Sequence, residues 1–310
     1  MSRVIVLGSA NTDLTVRVEN LPLPGQTVKG WNFQVYYGGK GANQAMAALR
    51  CGVEVLFLAR IGTDAYGRDL TRHLQEAGLP PAGIYNDHQQ PAGLALIQVD
   101  AQGNNQITVI PGSNDFLSPA DVQACAHWFT PDAVLLTQLE IPMPTVIAGL
   151  ELATSRGMTT ILNPAPFAPL PAKALAATDI LTPNQGEAAA LCGLDPDSRS
   201  DMDQGMNDLL GQGPETIIVT MGQTGALVAT QEGRRLVPSF AVQAIDTVGA
   251  GDAFNGALAA ALARGCSLDT AVSLACAAGA LATTKAGAQN SLPGHLEVEA
   301  LAGLQFDQQM

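Results

Sequence analysis

The stretch Ala244-Ile-Asp-Thr-Val-Gly-Ala-Gly-Asp-Ala-Phe-Asn-Gly256 places a glycine-rich turn between two regular elements. Before the turn, Phe240-Ala-Val-Gln-Ala-Ile245 predicts a strand. After it, the residues from Ala253 to Ala263 are rich in Ala and Leu and predict a helix. A strand that turns sharply into a helix is the basic unit of an α/β fold.

Two glycines and one carboxylate occupy this turn. Gly249 and Gly251 let the backbone approach a ligand closely, and the free N–H groups that begin a helix favour negative charge. Asp252 could take a proton from an attacking hydroxyl. Together they predict phosphoryl transfer to an alcohol. The alternative is a plain corner in which Asp252 caps the helix.

The composition favours a compact enzyme over a nucleic-acid binder. The chain has 310 residues, of which 47% are hydrophobic and 14% are charged. Its 15 basic and 28 acidic residues give a net charge of −13, which repels a phosphate backbone. A small anionic ligand can still bind through backbone N–H groups and a metal ion.

The cysteines and the N-terminus predict a cytoplasmic protein. The five cysteines are scattered without a CxxC pair, which is typical of reduced thiols. The chain enters a strand at Val4-Ile-Val-Leu7 with no signal peptide before it. The longest apolar stretch, from Ala271 to Ala282, is too short to span a bilayer.

Strands and helices alternate along most of the chain, which predicts a mainly parallel central sheet with helices on both faces. Strands are expected at 3–7, 53–61, 133–137, 159–162, 179–181 and 216–220. Polar residues follow several strand ends, where open α/β sheets bind ligands. Asn11 and Asp13 could hold vicinal hydroxyls in this way. The alternative for both is an Asx turn.

A small separate sheet is expected beside the large one. Short β-like pieces precede Gly38, and a hairpin is predicted where Gly93-Leu-Ala-Leu-Ile-Gln-Val99 and Gln106-Ile-Thr-Val-Ile110 flank a polar turn. We therefore predict a large α/β domain over 1–13, 38–92 and 112–310. A small β-sheet lid is predicted over 14–37 and 93–111.

The segment Gly38-Gly-Lys-Gly-Ala-Asn-Gln-Ala-Met-Ala-Ala-Leu49 is a glycine-rich loop leading into a helix. It is not a Walker A loop, because Gly41 follows Lys40 where Ser or Thr is required. It does not match the dinucleotide fingerprint either. Its glycines indicate backbone wrapped around a ligand.

These motifs resemble the ribokinase-like (PfkB-type) carbohydrate kinase family over nearly the whole chain. The main signatures are Gly38-Gly-Lys-Gly-Ala-Asn-Gln44 and Asp246-Thr-Val-Gly-Ala-Gly-Asp-Ala-Phe-Asn-Gly256. Between them lie, in the family's order, Asn163-Pro-Ala-Pro166, Asn184-x-x-Glu187 and Thr220-Met-Gly-x-x-Gly225. Gln138-Leu-Glu140 and Gly287-Ala-Gln289 are similar to the ribose-specific members. The resemblance implies transfer of the ATP γ-phosphate to the primary hydroxyl of a pentose, D-ribose at O5.

The resemblance also implies roles for individual residues. Asp252 would be the base, with an anion hole of Gly249, Ala250 and Gly251. The sugar would be bound by Asn11, Thr12, Asp13, Gly39, Lys40, Gly41, Ala42, Asn43, Glu140 and Asp252. ATP would be bound by Asn184, Thr220, Met221, Gly222, Gln223, Thr224, Gly225, Gly251, Asp252 and Cys276. Mg²⁺ would be organised by Asn184 and Glu187. An activating K⁺ would be held by Asp246, Val248, Ala282, Lys285, Gly287 and Ser291.

The resemblance further implies that the lid covers the sugar and forms a homodimer contact, with no nucleic-acid or membrane partner. Two features depart from the ribose-specific pattern: the order of residues in Val248-Gly-Ala-Gly-Asp252, and Cys276 on the adenine side. Kinases for deoxyribose, fructose, tagatose or nucleosides therefore stay open. A non-catalytic regulator would be expected to lose Asp252, Asn184 or Glu187. An NAD-dependent oxidoreductase would need a glycine fingerprint after the first strand, which the segment Gly8-Ser-Ala-Asn11 lacks.

Overall fold

A computed structural model describes residues 3–194 and 202–307. Its strands are β1 (Arg3–Leu7), β2 (Asn11–Val18), β3 (Gly30–Gly38), β4 (Glu54–Gly62), β5 (Ile84–Asp87), β6 (Gly93–Val99), β7 (Asn105–Ile110), β8 (Ala133–Thr137), β9 (Thr159–Leu162), β10 (Ile180–Leu181), β11 (Thr216–Thr220), β12 (Gly225–Thr230) and β13 (Gly233–Pro238). Its helices are α1 (Lys40–Arg50), α2 (Ala65–Glu76), α3 (Pro119–Ala124), α4 (Met143–Ser155), α5 (Ala172–Ala176), α6 (Gln185–Leu191), α7 (Met202–Leu210), α8 (Ala250–Ala263), α9 (Leu268–Ala282), α10 (Ala288–Ser291) and α11 (His295–Ala302).

Nine strands form a large sheet in the order β13-β12-β11-β10-β9-β8-β1-β4-β5. All neighbours are parallel except β12 and β13, which add antiparallel strands at one edge. In β1, Val4 and Val6 belong to one apolar core, whereas Ile5 and Leu7 belong to another. Because alternate side chains point to opposite faces, both faces are covered. The predicted α/β sheet with helices on both faces is confirmed.

Four strands form a separate small sheet in the order β3-β2-β6-β7. The predicted hairpin is confirmed as β6 and β7, with Asp100 Oδ1 accepting hydrogen bonds from the N–H groups of Gln102 and Asn104 at 2.9 and 2.8 Å. β2 begins at Asn11, so the Asx-turn alternative for Asn11 and Asp13 is wrong. The domain boundaries stay a prediction.

The strand predicted over 240–245 is wrong. This segment follows β13, the edge strand of the large sheet, and pairs with no ladder. Instead the chain crosses to α8 as a loop, and the N–H groups of Ile245 and Asp246 donate to Thr283 O at 2.7 and 3.1 Å. An apolar segment beyond a sheet edge finds no strand partner, and this one lines a cavity.

The helices that flank the predicted loops begin earlier than the sequence indicated. α8 starts at Ala250, three residues before the expected start, and α1 starts at Lys40. The first turns of these helices therefore carry the motif residues themselves. Within residues 3–194 and 202–307, no helix has the length and apolar character that a bilayer crossing requires. The apolar α9 has 15 residues and packs on α8.

Candidate active site

Asp252 lies in the first turn of α8 and is 7% exposed. Its Oδ2 accepts a hydrogen bond from Asn43 Nδ2 at 2.9 Å, and its Oδ1 accepts one from Gln44 Nε2 at 3.0 Å. The N-cap of α8 is Gly249, which has no side-chain cap. The alternative in which Asp252 caps its own helix is therefore wrong. Its carboxylate is held by α1 instead.

Burial raises the pKa of Asp252 above the usual range, and the nearby charge of Glu140 raises it further. The charge of Lys40 and the hydrogen bonds from Asn43 and Gln44 act in the opposite direction. Burial favours the neutral form because few water molecules solvate the charge. A carboxylate with a raised pKa is suited to accept a proton near neutral pH.

The start of α8 presents backbone N–H groups beside this carboxylate. Gly249 has φ +78°, and a Cβ on it would lie 3.1 Å from Ala288 Cα, so glycine is needed there. The N–H of Ala250 donates to Thr247 O at a long 3.3 Å. Gly251 has open space around the place where a Cβ would be. The first N–H groups of a helix have no partner within it, so this end can bind an anion.

A chain of amides extends from Asp252 into the core. Gln44 Nε2 also donates to Asn163 Oδ1 at 3.1 Å, and Asn163 Nδ2 donates to Thr182 O at 2.8 Å. Gln138 Nε2 donates to Gln44 Oε1 at 2.6 Å. The backbone carbonyl of Thr182 fixes which way each amide points. Sequence reasoning included Gln44, Gln138 and Asn163 within motifs but gave them no role.

Several of the predicted sugar residues lie where β1, β2 and α1 meet. Glu140 Oε2 accepts hydrogen bonds from Ser9 Oγ at 2.5 Å and from the N–H of Lys40 at 2.9 Å. Burial, with the charge of Glu140, raises the pKa of Asp13 to about 7. Thr12 Oγ1 and Asn43 Oδ1 are buried and have no hydrogen-bond partner among the described residues.

The other predicted sugar residues are backbone neighbours of this cluster. The N–H of Gly41 donates to Ser9 Oγ at 3.3 Å, and the N–H of Ala42 donates to Ser9 O at 2.8 Å. Ser9 was not predicted, since nothing in its sequence context distinguishes it from a linker residue. Its hydroxyl connects Glu140 to the start of α1.

A cavity of about 570 Å³ lies on the other side of the α8 start. Of the predicted ATP residues, six line it: Thr220, Gly222, Gln223, Gly225, Gly251 and Cys276. Met221 and Thr224 belong to the turn that shapes it, with Thr224 N donating to Met221 O at 3.1 Å. The 240–245 segment, predicted as a strand, lines this cavity with Phe240 and Val242.

Asn184 and Glu187 form a capping box at the start of α6. Asn184 Oδ1 accepts from the N–H of Glu187 at 2.8 Å, and Glu187 Oε2 accepts from the N–H of Asn184 at 2.9 Å. Burial raises the pKa of Glu187. A bridge between Asn184 and Thr220 places this pair beside the cavity that Thr220 lines. Within the described ranges, no group of three or more metal-binding side chains is found.

The residues predicted for K⁺ lie in two adjoining loops behind the α8 start. Asp246 accepts hydrogen bonds from the N–H groups of Val248 and Gly287 at 3.0 and 2.9 Å. Ala282 ends α9, and Ser291 ends α10 with its Oγ donating to Ala288 O. Lys285 Nζ points to Glu297, 3.5 Å away, so its side chain faces outward. The Asp246 carboxylate makes no ion pair among the described residues.

Comparison with known proteins agrees with this arrangement. Residues 1–294 match the model of the pfkB family carbohydrate kinases. A ribokinase from Haemophilus influenzae is 37% identical over 292 residues, which cover 94% of this chain and 95% of the relative. A deoxyribokinase from Salmonella typhi is 34% identical over 291 residues, with 94% and 95% covered.

A solved structure extends the comparison to the fold. Arabidopsis thaliana ribokinase, complexed with ribose and ATP, has a TM-score of 0.89 and 29% identity. The match covers 97% of this chain and 99% of that one. The two sheets, the buried carboxylate at the α8 start and the family match over residues 1–294 lead to one conclusion: this chain belongs to the pfkB family of carbohydrate kinases.

Proposed function

We propose that the chain is an ATP-dependent ribokinase that converts D-ribose to D-ribose 5-phosphate. The observation that carries the proposal is the position of Asp252. Its buried carboxylate lies at the start of α8, bonded to Asn43 on one side and near the nucleotide cavity that Gly251 lines on the other. The ribokinase and ATP-complex relatives support the choice of both substrates.

The proposed reaction is an in-line transfer. Asp252 takes the proton from the O5 hydroxyl as this oxygen forms a bond to the γ-phosphorus, and the bond between the γ-phosphorus and the bridging oxygen breaks to release ADP. The N–H groups of Gly249, Ala250 and Gly251 stabilise the charge that develops on the phosphoryl oxygens. The raised pKa of Asp252 favours this proton transfer near neutral pH.

The sugar occupies the side of the site formed by Asn11, Asp13, Asn43 and Glu140. The buried Asn43 Oδ1, which has no described protein partner, supports this placement, since an unpaired buried acceptor is costly unless a ligand satisfies it. The Thr12 side chain points to the opposite face of β2 from Asn11 and Asp13, so only its backbone faces this side of the site. Gly39, Lys40, Gly41 and Ala42 close the site through their backbone. ATP occupies the cavity beside Thr220 and Cys276.

Two metal ions are part of the proposal. Mg²⁺ keeps much of its hydration, so one indirect carboxylate, Glu187, with Asn184 and the ATP phosphates suffices to organise it. Only one oxygen of Glu187 is used by the capping box, which leaves the other available. K⁺ would be held by the Asp246 carboxylate and by oxygens of Val248, Ala282, Lys285, Gly287 and Ser291. When bound, it tunes the electrostatics of the anion hole.

A second candidate is a deoxyribokinase, because a deoxyribokinase of 34% identity matches over nearly the whole chain. A coupled assay of ADP release separates the two. We would compare ribose, deoxyribose, fructose, tagatose and nucleosides, each with and without K⁺. Ribose is expected to give the highest kcat/KM. A higher value for deoxyribose would transfer the proposal to that sugar, and no sugar-dependent ADP release would refute both.

The oligomeric state and the cellular location are also part of the proposal. The small sheet forms a homodimer contact, for which the exposed Ile107 and Val109 on one face of β7 provide an apolar surface. The cytoplasm is the proposed location, because ATP is available there and the five cysteines are free thiols.

A further inference from the structure

Four chain crossings join the small sheet to the large one, and they converge on Ala10 and Asn11. The first crossing is the connection from β1 to β2, which contains Ala10. At the second, the backbone of Gly39 packs so closely that a Cβ would lie 2.8 Å from Ala10 Cα. The third enters at Gly93, and the fourth leaves β7 towards a 3-10 turn at Gly112–Phe116.

Asn114, in that 3-10 turn, connects three of these crossings and is 2% exposed. Its Oδ1 accepts from the N–H of Ala10 at 2.9 Å. Its Nδ2 donates to Ala10 O at 3.3 Å and to Asn11 Oδ1 at 2.8 Å. A Cβ on Gly93 would lie 2.2 Å from Asn11 Oδ1 and 2.3 Å from Asn114 Nδ2, so glycine leaves room for this contact.

The backbone of Ala10 determines the orientation of the side-chain amides of Asn114 and Asn11. An N–H group can only donate and a carbonyl can only accept, so Asn114 must place Oδ1 and Nδ2 as described. Its Nδ2 then requires an acceptor, Oδ1, from Asn11. The Nδ2 of Asn11 is left as the free end of that side chain, and it donates to no protein atom among the described residues.

We propose that Asn114 is a positioning residue which fixes the amide of Asn11 so that its Nδ2 donates to a sugar hydroxyl. This inference rests on the proposed function, in which Asn11 binds the sugar. Asp13 follows two residues later on β2, on the same face of the strand, and offers carboxylate oxygens. A vicinal diol needs both a donor and an acceptor. With the amide fixed, Asn11 supplies the donor and Asp13 the acceptor.

Asn114→Asp is the sharpest test. It keeps the acceptor for the N–H of Ala10 but replaces the donor with a carboxylate oxygen. The Asn11 amide must then rotate to donate to the new carboxylate, which turns its own acceptor towards the sugar. We expect the KM for the sugar to rise about 10-fold or more, as the loss of one hydrogen bond in a buried site implies. The KM for ATP should stay within about twofold.

Two further variants separate positioning from a general structural role. Asn86→Asp adds the same charge to an exposed position on β5, at the edge of the large sheet, and should leave the sugar KM within about twofold of wild type. In an Asn11→Ala background, Asn114→Asp should raise the sugar KM by less than about twofold, since the amide it positions is gone. A second rise of about 10-fold in that background would overturn the inference. So would an unchanged sugar KM in Asn114→Asp.

Asn11→Asp carries the test should Asn114→Asp fail to fold. It still accepts from Asn114 but presents an acceptor to the sugar, so the sugar KM should again rise about 10-fold. An unchanged value would overturn the inference. The wild-type chain is assayed first with the sugar panel. If it turns over no sugar, the proposed function fails, and the sugar-induced rise in Tm of wild type and variants replaces KM as the measure of binding.

Discussion

Gln44 Nε2 lies 3.0 Å from Asp252 Oδ1, although 208 residues separate them in the chain. Gln44 is fully buried, and its amide is oriented by Gln138 on one side and Asn163 on the other. The donated hydrogen bond favours the ionised carboxylate and lowers the pKa that burial has raised. Gln44 therefore favours the ionised form in which Asp252, the proposed base, can accept a proton.

Gln44→Met keeps the length of the side chain and removes the donor. The pKa of Asp252 should then rise further, because one of the hydrogen bonds that lower it is lost. Since the base must be ionised to take a proton, the acid limb of the kcat profile should move to higher pH. We expect kcat at neutral pH to fall roughly 10-fold, and the free energy of unfolding to fall by about 1–3 kcal/mol for the orphaned partners.

Gln138→Met is the matched control for this change. It removes a donor to Gln44 but leaves the bond between Gln44 and Asp252 in place. Stability should fall, while the acid limb of the kcat profile stays at its wild-type position. An equal pH shift in both variants would show that the network acts only through packing.

Asp252→Asn removes the proposed base while it preserves the size of the side chain. We expect kcat for the sugar to fall by roughly 10²–10⁴-fold, the usual contribution of a general base. The ATP-induced rise in Tm should persist, since Asp252 is not among the residues that line the proposed ATP cavity. Sugar-dependent ADP release near the wild-type rate would refute the mechanism.

Asp13 predicts a pH dependence of stability. Its pKa rises from 3.8 to about 7 on folding, so the folded chain holds the proton more tightly than the unfolded chain does. The free energy of unfolding therefore falls as pH rises through this window. Asp13→Asn removes the titrating carboxyl, and with it this fall in the free energy of unfolding. The stability of the variant relative to wild type should grow between about pH 5 and about pH 8, by at most about 3 kcal/mol at about 1.4 kcal/mol per pKa unit.

Urea unfolding at the two pH values measures this difference. Asp100→Asn is the control, because hydrogen bonds at the β6–β7 turn lower the pKa of Asp100. That carboxyl is ionised in both states over most of this window, so its variant should differ from wild type by nearly the same amount at both pH values. If the free energy of unfolding of Asp13→Asn also differs from that of wild type by the same amount at both pH values, the raised pKa of Asp13 is contradicted.

Glu187→Gln separates the metal role of this residue from its capping role. Gln can accept from the N–H of Asn184 as Glu does, so α6 should keep its cap and the Tm should change little. The charge next to the proposed Mg²⁺ is lost. We expect the Mg²⁺ concentration for half-maximal activity to rise and kcat to fall, on the order of 10-fold for one removed carboxylate interaction.

Glu297→Gln is the corresponding change at α11, where Glu297 Oε2 accepts from the N–H of Gly294 at 2.8 Å. It makes the same replacement in a capping position away from the nucleotide cavity. Its Mg²⁺ dependence should match wild type. If both variants respond alike, Glu187 acts only as a helix cap.

The local pattern was sufficient to predict most of the sheet. The apolar run Val4-Ile-Val-Leu7 predicted a strand buried on both faces, and it contributes to two separate cores. The same pattern failed at 240–245, because whether an apolar stretch joins a sheet depends on a neighbouring strand that the stretch itself does not encode. Motif order, rather than periodicity, led to the family.

The hydrogen bonds within the site could not be predicted from the sequence either, because their partners lie far apart in the chain. Asn114 lies in an ordinary turn sequence and meets Asn11 across 103 positions, and Ser9 meets Glu140 across 131. A side chain that acts through another residue needs no distinctive motif. Only the folded geometry shows which amide faces which.

The small sheet supports a final prediction about assembly. Its edge strand β7 carries Ile107 and Val109, which are 51% and 52% exposed and lie on one face two residues apart. Neighbouring exposed apolar side chains on a sheet mark an interaction surface. We expect wild type to be a dimer by light scattering and Val109→Asp to be a monomer, because a buried charge without a partner opposes association. Leu296→Asp places the same charge at a 69% exposed position on α11 and should stay dimeric. A monomeric wild type, or a dimeric Val109→Asp, would rule out this face as the contact.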